Sequence, residues 1–387
     1  MLDRRRFLEL MAAGSCVSQV ASGPAQAQGV GTDYDVIVIG AGISGLVAAR
    51  RLVAAAEDIK VLLLEARDRA GGRVFSTALP DLLRDADSGA AFLPEGKGTP
   101  DGDWPPAREL GLKTWEMAPC RVIVQPGMSA LVDSIATTSL GTLQLNSRVN
   151  QVFWREGLVG VNYRNRGLDS AVTTRRLVLT VPPPVLLSDA IAFTPPLPPE
   201  KLAAMGQVVS TSSLTFAAVF SAATLDLTIE GDEWLQEDAN RTLRAFRAGT
   251  DGEILLEAQY RGSRADLLAA QPARLVRDFA LQDFGDVIDL IGGSSEPMWE
   301  KVVDWNKDEF SRGALFQVAS DQSRLGLAES ISDTLFFAGD CTDVTAPRAD
   351  IASAYASGER VAQEVAYSLN LEIQAQDPNE PILELLL

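Results

Sequence analysis

The chain has 387 residues, 46% of them hydrophobic and only 6% aromatic, a composition that excludes disordered and fibrous classes and is too large for one simple core. Its formal charge of −18 argues against nucleic-acid and anionic-membrane partners, because Lys and Arg supply that affinity, and it would draw in a cationic small molecule. No histidine is present, which removes Ser-His-Asp and Cys-His catalysis, a His metal ligand and any histidyl cofactor link. No metal site is expected, and the chemistry falls to carboxylates, Lys, Arg, Tyr, Cys or a bound cofactor.

The first element in the chain reads as an address. "DRRRFLEL" (3–10) sets consecutive arginines before Phe7 and Leu8, a short apolar run follows, and "AQA" (25–27) offers a small-x-small cleavage site. This order resembles a twin-arginine export signal over residues 1–27, which implies a periplasmic protein that folds around its cofactor before export. Cleavage would remove Cys16 and leave Cys120 and Cys341, between which an oxidising compartment permits a bridge. Residues 202–225 are uncharged, but "STSSLT" (210–215) within them fits a buried strand, so no membrane span is expected.

A strand, a glycine turn and a helix start follow in "DYDVIVIGAGISGLVAARRL" (33–52). Gly40, Gly42 and Gly45 form G-x-G-x-x-G: the first permits the turn, the second admits a pyrophosphate to the backbone, and the third lets helix and strand pack closely. The helix start, with Ser44 in its first turn, presents a positive dipole end to the phosphates. "KVLLLEA" (60–66) then supplies a second strand ending in Glu65, about 20 residues beyond Gly45, the spacing of an acid that binds a ribose hydroxyl.

What comes next resembles the FAD-containing amine oxidase family, monoamine oxidase-like. The resemblance rests on "EARDRAGGRVFST" (65–77), "DSGAAFL" (87–93), "PGMSALVDSIA" (126–136), "NSRVNQVFW" (146–154), "LVLTVPPPVL" (177–186), "WNKDEFSRGALFQ" (305–317), "FFAGD" (336–340) and "ASAYASGERVA" (352–362). It implies an α/β fold: a discontinuous, Rossmann-like FAD-binding domain over 33–91, 119–200 and 311–369, with a smaller, trimmed α+β substrate domain over 92–118 and 201–310 and a tail over 370–387. It also implies that Glu65, Ala66, Arg67, Gly72, Arg73, Gly89, Ala90, Val149, Gly339, Asp340 and Ile351 join the glycine turn in holding FAD, with Asp340 keeping a ribityl hydrogen bond through a shorter arm than the family's usual Glu.

The same resemblance implies hydride transfer from the carbon beside an amine to the flavin, hydrolysis of the imine, and electrons passed to O2 or a periplasmic acceptor. Three departures from it bear on the chemistry. Ala314 stands where some members carry a cysteine bound to FAD, so FAD should be non-covalent. Leu315 and Asp350 occupy the places of two cage aromatics. "GQVVSTSSLTF" (206–216) lacks the family's lysine, with Thr211 or a neighbouring serine in its place. Trp305, Leu315 and Asp350 are the expected substrate-side residues, and Trp305, Asp350 and Thr211 the candidates for a catalytic role. Asp350 reads equally as a helix N-cap before "IASA". The leading expectation is a periplasmic amine oxidase or dehydrogenase; a desaturase or oxidase of a non-amine substrate and a flavoprotein subunit without turnover stand beside it.

Overall fold

The computed structural model describes residues 31–371 apart from 80, 94–103, 118–120, 138–139, 228–232, 286, 291–295 and 346–349. The export signal, Cys120 and most of the C-terminal tail lie outside the described residues.

The first strand, β1 (Tyr34–Ile39), ends in an apolar run, Val36–Ile39, because that part is buried on both faces in the middle of a parallel stretch of the sheet. Helix α1 (Ile43–Ala55) returns the chain so that β2 (Val61–Leu64) pairs with β1 in parallel, Val36 opposite Val61 and Ile39 opposite Leu64. Alternation along these strands sends Val36 and Val38 into one core and Ile37 and Ile39 into another, one on each side of the sheet.

A long strand, β3 (Leu168–Leu179), serves two ladders. Its first half pairs antiparallel with residues 158–165 across a two-residue turn, Arg166–Gly167, both at positive φ as such hairpins require. Its second half runs parallel to β1, Tyr34 opposite Thr174 and Ile39 opposite Leu179. The final strand of this sheet, residues 335–337, lies beside the end of β3.

A second sheet has five antiparallel strands in the order 233–237, 241–247, 254–261, 213–220, 299–304. We label three of them β4 (Ser213–Phe220), β5 (Arg241–Arg247) and β6 (Ile254–Arg261). Helices at 262–269 and 273–283 cover its apolar face, which carries Phe216, Phe220, Leu243, Leu256 and Tyr260. The uncharged stretch expected to be a buried strand is split: β4 is buried at every position, whereas residues up to 205 close the helix Pro199–Met205, opened by prolines whose fixed φ suits its first turn. Among the described residues no helix is long and apolar enough to cross a membrane.

The last helix, α2 (Ile351–Ser368), packs along α1. A Cβ on Gly358 would sit 2.6 Å from the Ser44 carbonyl and 2.8 Å from Val47, so the small residues of "ASAYASG" are needed for helix against helix.

Candidate active site

A cleft of about 240 Å³ runs from the C-terminal ends of β1 and β2 to the mouth beside α2. Of the nineteen positions expected from the sequence, all but Gly45 and Thr211 line it.

At the nucleotide end Gly40 has φ 104°, the left-handed region in which a side chain is strained, and its carbonyl lies where a Cβ on Gly45 would be 1.9 Å away. Gly45 is therefore a packing residue behind the cleft. Gly42 differs: a Cβ there would meet no protein atom within 4 Å, and the residue lines the cleft at the start of α1. That combination, open space over the positive end of a helix, is a cradle for a pyrophosphate. Glu65 is buried at the end of β2, where Oε2 accepts the Ala41 N–H and Oε1 the Arg67 N–H, both at 2.8 Å. Two backbone donors fix the carboxylate while leaving acceptor capacity for hydroxyl groups. Ala66 and Val149 line the same end.

Arg67 pairs with Asp308, donates to Ser311 Oγ at 2.9 Å and lies 5.2 Å from the Phe310 ring. Arg148 stands 5.5 Å from that ring, so Phe310 is held by two guanidinium groups at the cleft wall. These contacts were not legible in the sequence, because they join chain segments far apart.

Toward the mouth, Arg73 donates to both oxygens of Asp340, at 2.7 and 2.9 Å, and to the Ala314 carbonyl at 2.7 Å. Burial disfavours its charge, but the Asp340 carboxylate outweighs burial and raises the guanidinium pKa. The ribityl contact expected of Asp340 would share oxygens already held by this fork. Gly339, Gly72 and Ile351 lie on the same wall, and a Cβ at Gly339 would likewise meet no protein atom within 4 Å.

Trp305 is 2% exposed and donates from Nε1 to the Ser88 carbonyl at 2.9 Å. Gly89 lies against it, since a Cβ there would be 3.2 Å from the indole and 2.0 Å from the Arg73 carbonyl. Leu315, Ala90 and Asp350 complete this end. Asp350 is the N-cap of α2, its Oδ1 accepting the Ser353 N–H at 2.9 Å, and it lines the cleft as well, so the capping and cleft positions coincide in one residue.

Thr211 lies opposite Leu315 in a two-stranded ladder and does not reach the cleft. Cys341 is buried and unpaired; burial, and then the neighbouring Asp340 carboxylate, push its thiol pKa up and keep it protonated. Gln259, on β6, lines the cleft next to Gly89 and was not expected from the sequence. The signal was present in "ILLEAQY" (254–260), where Glu257 and Gln259 interrupt an apolar strand at alternate positions.

The match that decides the family covers most of the chain. Residues 116–366 match the flavin containing amine oxidoreductase family, and residues 38–100 match an NAD(P)-binding Rossmann-like domain. The chain belongs to the flavin-containing amine oxidoreductase family.

FAD is its cofactor, and the open glycine cradle, the fixed Glu65 carboxylate and the length of the cleft fit a dinucleotide. Curated relatives are similar over short stretches. Flavin-containing amine oxidase A of Canis lupus familiaris is 42% identical over 84 residues, 22% of this chain and 15% of that protein. Pseudooxynicotine dehydrogenase of Pseudomonas sp is 39% identical over 93 residues, 20% of this chain and 18% of that protein. The chain thus spans less than a fifth of the length of these relatives. Putrescine oxidase with bound putrescine has the same fold at a TM-score of 0.67 and 18% identity, over 86% of this chain and 99% of that one. Cyclohexylamine oxidase from Brevibacterium oxydans matches at 0.64 and 17%, over 87% and 100%.

Proposed function

We propose that this flavoprotein is a periplasmic amine oxidase or dehydrogenase whose substrate carries a second positive charge. The observation that carries the reading is one cleft whose lining includes both the cradle at Gly42 and Glu65 and the substrate-side residues Trp305 and Asp350. In this reading residues 33–91, 119–200 and 311–369 hold FAD, and residues 92–118 and 201–310 form the substrate side.

Bound FAD would supply the two-electron chemistry for oxidising the carbon beside the nitrogen. The chain's residues position and bind. The N-terminus of α1 and Gly42 hold the pyrophosphate, Glu65 the adenosine ribose, and the Arg73–Asp340 fork fixes the wall between cofactor and mouth. Trp305 excludes water from that wall. A carboxylate favours the protonated form of any amine beside it, and a protonated amine cannot give up hydride, so Asp350 suits a distal cation better than the reacting nitrogen. The imine is hydrolysed by water, and the electrons go to O2 or to another acceptor. Export rests on the arginines at 4–6 and the segment to Ala27, and the charge of −18 agrees with a cationic substrate.

Anaerobic mixing of the FAD-loaded protein with a panel of mono- and diamines tests the reading. The visible flavin band should bleach, fastest with a diamine. No bleaching by any amine would turn the assignment to a non-amine oxidation or to a subunit without turnover.

A further inference from the structure

The face of the five-stranded sheet opposite its helices changes character along its length. Ala217, Val219, Phe246 and Leu255 pack there with Ala86 and Ile123. Strand alternation then places Thr215, Thr242, Arg244, Glu257 and Gln259 on the same face, with Thr215 and Thr242 opposite Gln259 and Arg244 opposite Glu257. Nothing in the packing of a sheet requires a buried acid there; Glu257 is 3% exposed.

Segment 86–91 lies over this polar end. Between them is a cavity of about 10 Å³, bounded by Asp87, Gly89, Thr215, Glu257 and Gln259 among others, which is the size of one water molecule. Thr215 Oγ1 is buried without a hydrogen-bond partner among the described residues. So is Glu257 Oε2, whose 2.6 Å contact with Arg244 is an ion pair outside hydrogen-bonding alignment. A cavity of this size between two oxygens that accept no hydrogen bond among the described residues is a site for water. Gly89 and Gln259 also line the main cleft, so the Gln259 carboxamide stands between cleft and cavity. Its own contacts, to the Gly89 carbonyl and from Arg261, are both 3.5 Å, at the limit of a hydrogen bond, and little opposes its turning.

We infer that Glu257 is the buried proton acceptor for an amine that enters the cleft as its ammonium form, reached through the water cavity behind Gln259. The inference rests on the amine reading above. The step is a proton transfer alone: an N–H bond of the ammonium breaks and an O–H bond forms on Glu257 through the intervening water. The products are a free amine, whose lone pair its oxidation requires, and a neutral carboxylic acid.

Three charged groups face Glu257: Arg244 from β5, Asp87 from segment 86–87, whose N–H donates to Oε1 at 2.5 Å, and Arg84 from the loop before it. Two cations against two carboxylates balance the cluster, so it is the burial of Glu257 that favours its taking a proton. Asp87 is the poorer acceptor because Ser76 Oγ and Met128 N–H already donate to its Oδ1, at 2.6 and 2.8 Å. Burial first, and then Asp87, push Glu257 up to about 7 against the opposing pull of Arg244, which suits an acceptor working near neutrality.

The test uses the FAD-loaded protein and two readouts. Infrared titration of the protein without substrate should show a carboxylic-acid carbonyl band below about pH 7 that is lost at higher pH and missing from Glu257→Gln; no such band overturns the proton acceptor. Anaerobic flavin reduction is then followed with ethylamine, which arrives protonated, and with 2,2,2-trifluoroethylamine, which arrives neutral. Glu257→Gln should slow ethylamine by about 10²-fold and leave the weak base unchanged. Thr215→Val, which removes an unpartnered hydroxyl and preserves shape, should give a smaller loss in the same direction. Equal losses with both amines in either variant would show a structural defect and overturn the inference. Failure of the unaltered protein to be reduced by either of these or by any amine in the panel would overturn the amine reading instead.

Discussion

Arg73 holds Asp340 with both arms of its guanidinium, at 2.7 and 2.9 Å, and with one of them also reaches the Ala314 carbonyl at 2.7 Å. Three segments far apart in sequence are thereby tied together at the wall of the cofactor cleft. A lysine cannot reproduce a planar two-pronged contact. Arg73→Lys should weaken FAD binding by about 10- to 100-fold, the equivalent of one or two charge-assisted hydrogen bonds, read by titrating the apoprotein with FAD and following flavin fluorescence. Unchanged affinity would show that the fork does not shape the cofactor wall.

Asp350 both caps α2 and lines the cleft, and two substitutions separate those roles. Asparagine is as good an N-cap as aspartate, so Asp350→Asn should leave the melting temperature nearly unchanged, while Asp350→Ala should cost about 1 kcal/mol. Loss of the charge should raise KM for a diamine by about tenfold in both variants and leave a monoamine of similar length unaffected. A similar change for both amines would reduce Asp350 to its capping role.

The two inner glycines of the turn should fail differently. Gly45→Ala would drive a Cβ to within 1.9 Å of the Gly40 carbonyl and should destabilise the fold by about 1–3 kcal/mol. Gly42→Ala meets no protein atom within 4 Å, so the chain should fold normally yet bind FAD poorly. Melting curves and flavin content, measured on the same preparations, give the two signatures.

Glu257 should leave a mark on stability as a function of pH. Its folded pKa, about 7, lies above the ordinary value of 4.5, so its contribution is fully present below about pH 4.5 and is lost as pH rises to about 7. Glutamine does not titrate. The difference in Tm between the unaltered protein and Glu257→Gln should therefore shift steadily against the unaltered protein across that window and level off above it. A difference independent of pH would contradict the raised pKa.

Export can be tested without the substrate. Replacing Arg5 and Arg6 by lysine should leave the protein folded and flavin-loaded but retained in the cytoplasmic fraction, whereas the unaltered chain should appear in the periplasmic fraction.

The cofactor half was legible in the order of residues along the chain. Gly40, Gly42, Gly45 and Glu65 are close in the chain and act through backbone geometry, and local spacing is what a sequence records. The sequence also held a trace of the buried polar face, in the Glu257 and Gln259 that break an apolar strand. The tertiary structure alone decided the rest. Thr211 pairs with Leu315 in a two-stranded ladder and is not among the residues that line the cleft, a placement that depends on a partner strand about a hundred residues away. The small residues of α2 answer to a second helix as well as to the cleft, since Gly358 lies on Ser44 and Val47. Asp340 meets Arg73 across 267 residues, and Glu257 meets Asp87 across 170. Such pairings depend on how two sheets are brought together, and no local pattern encodes that distance.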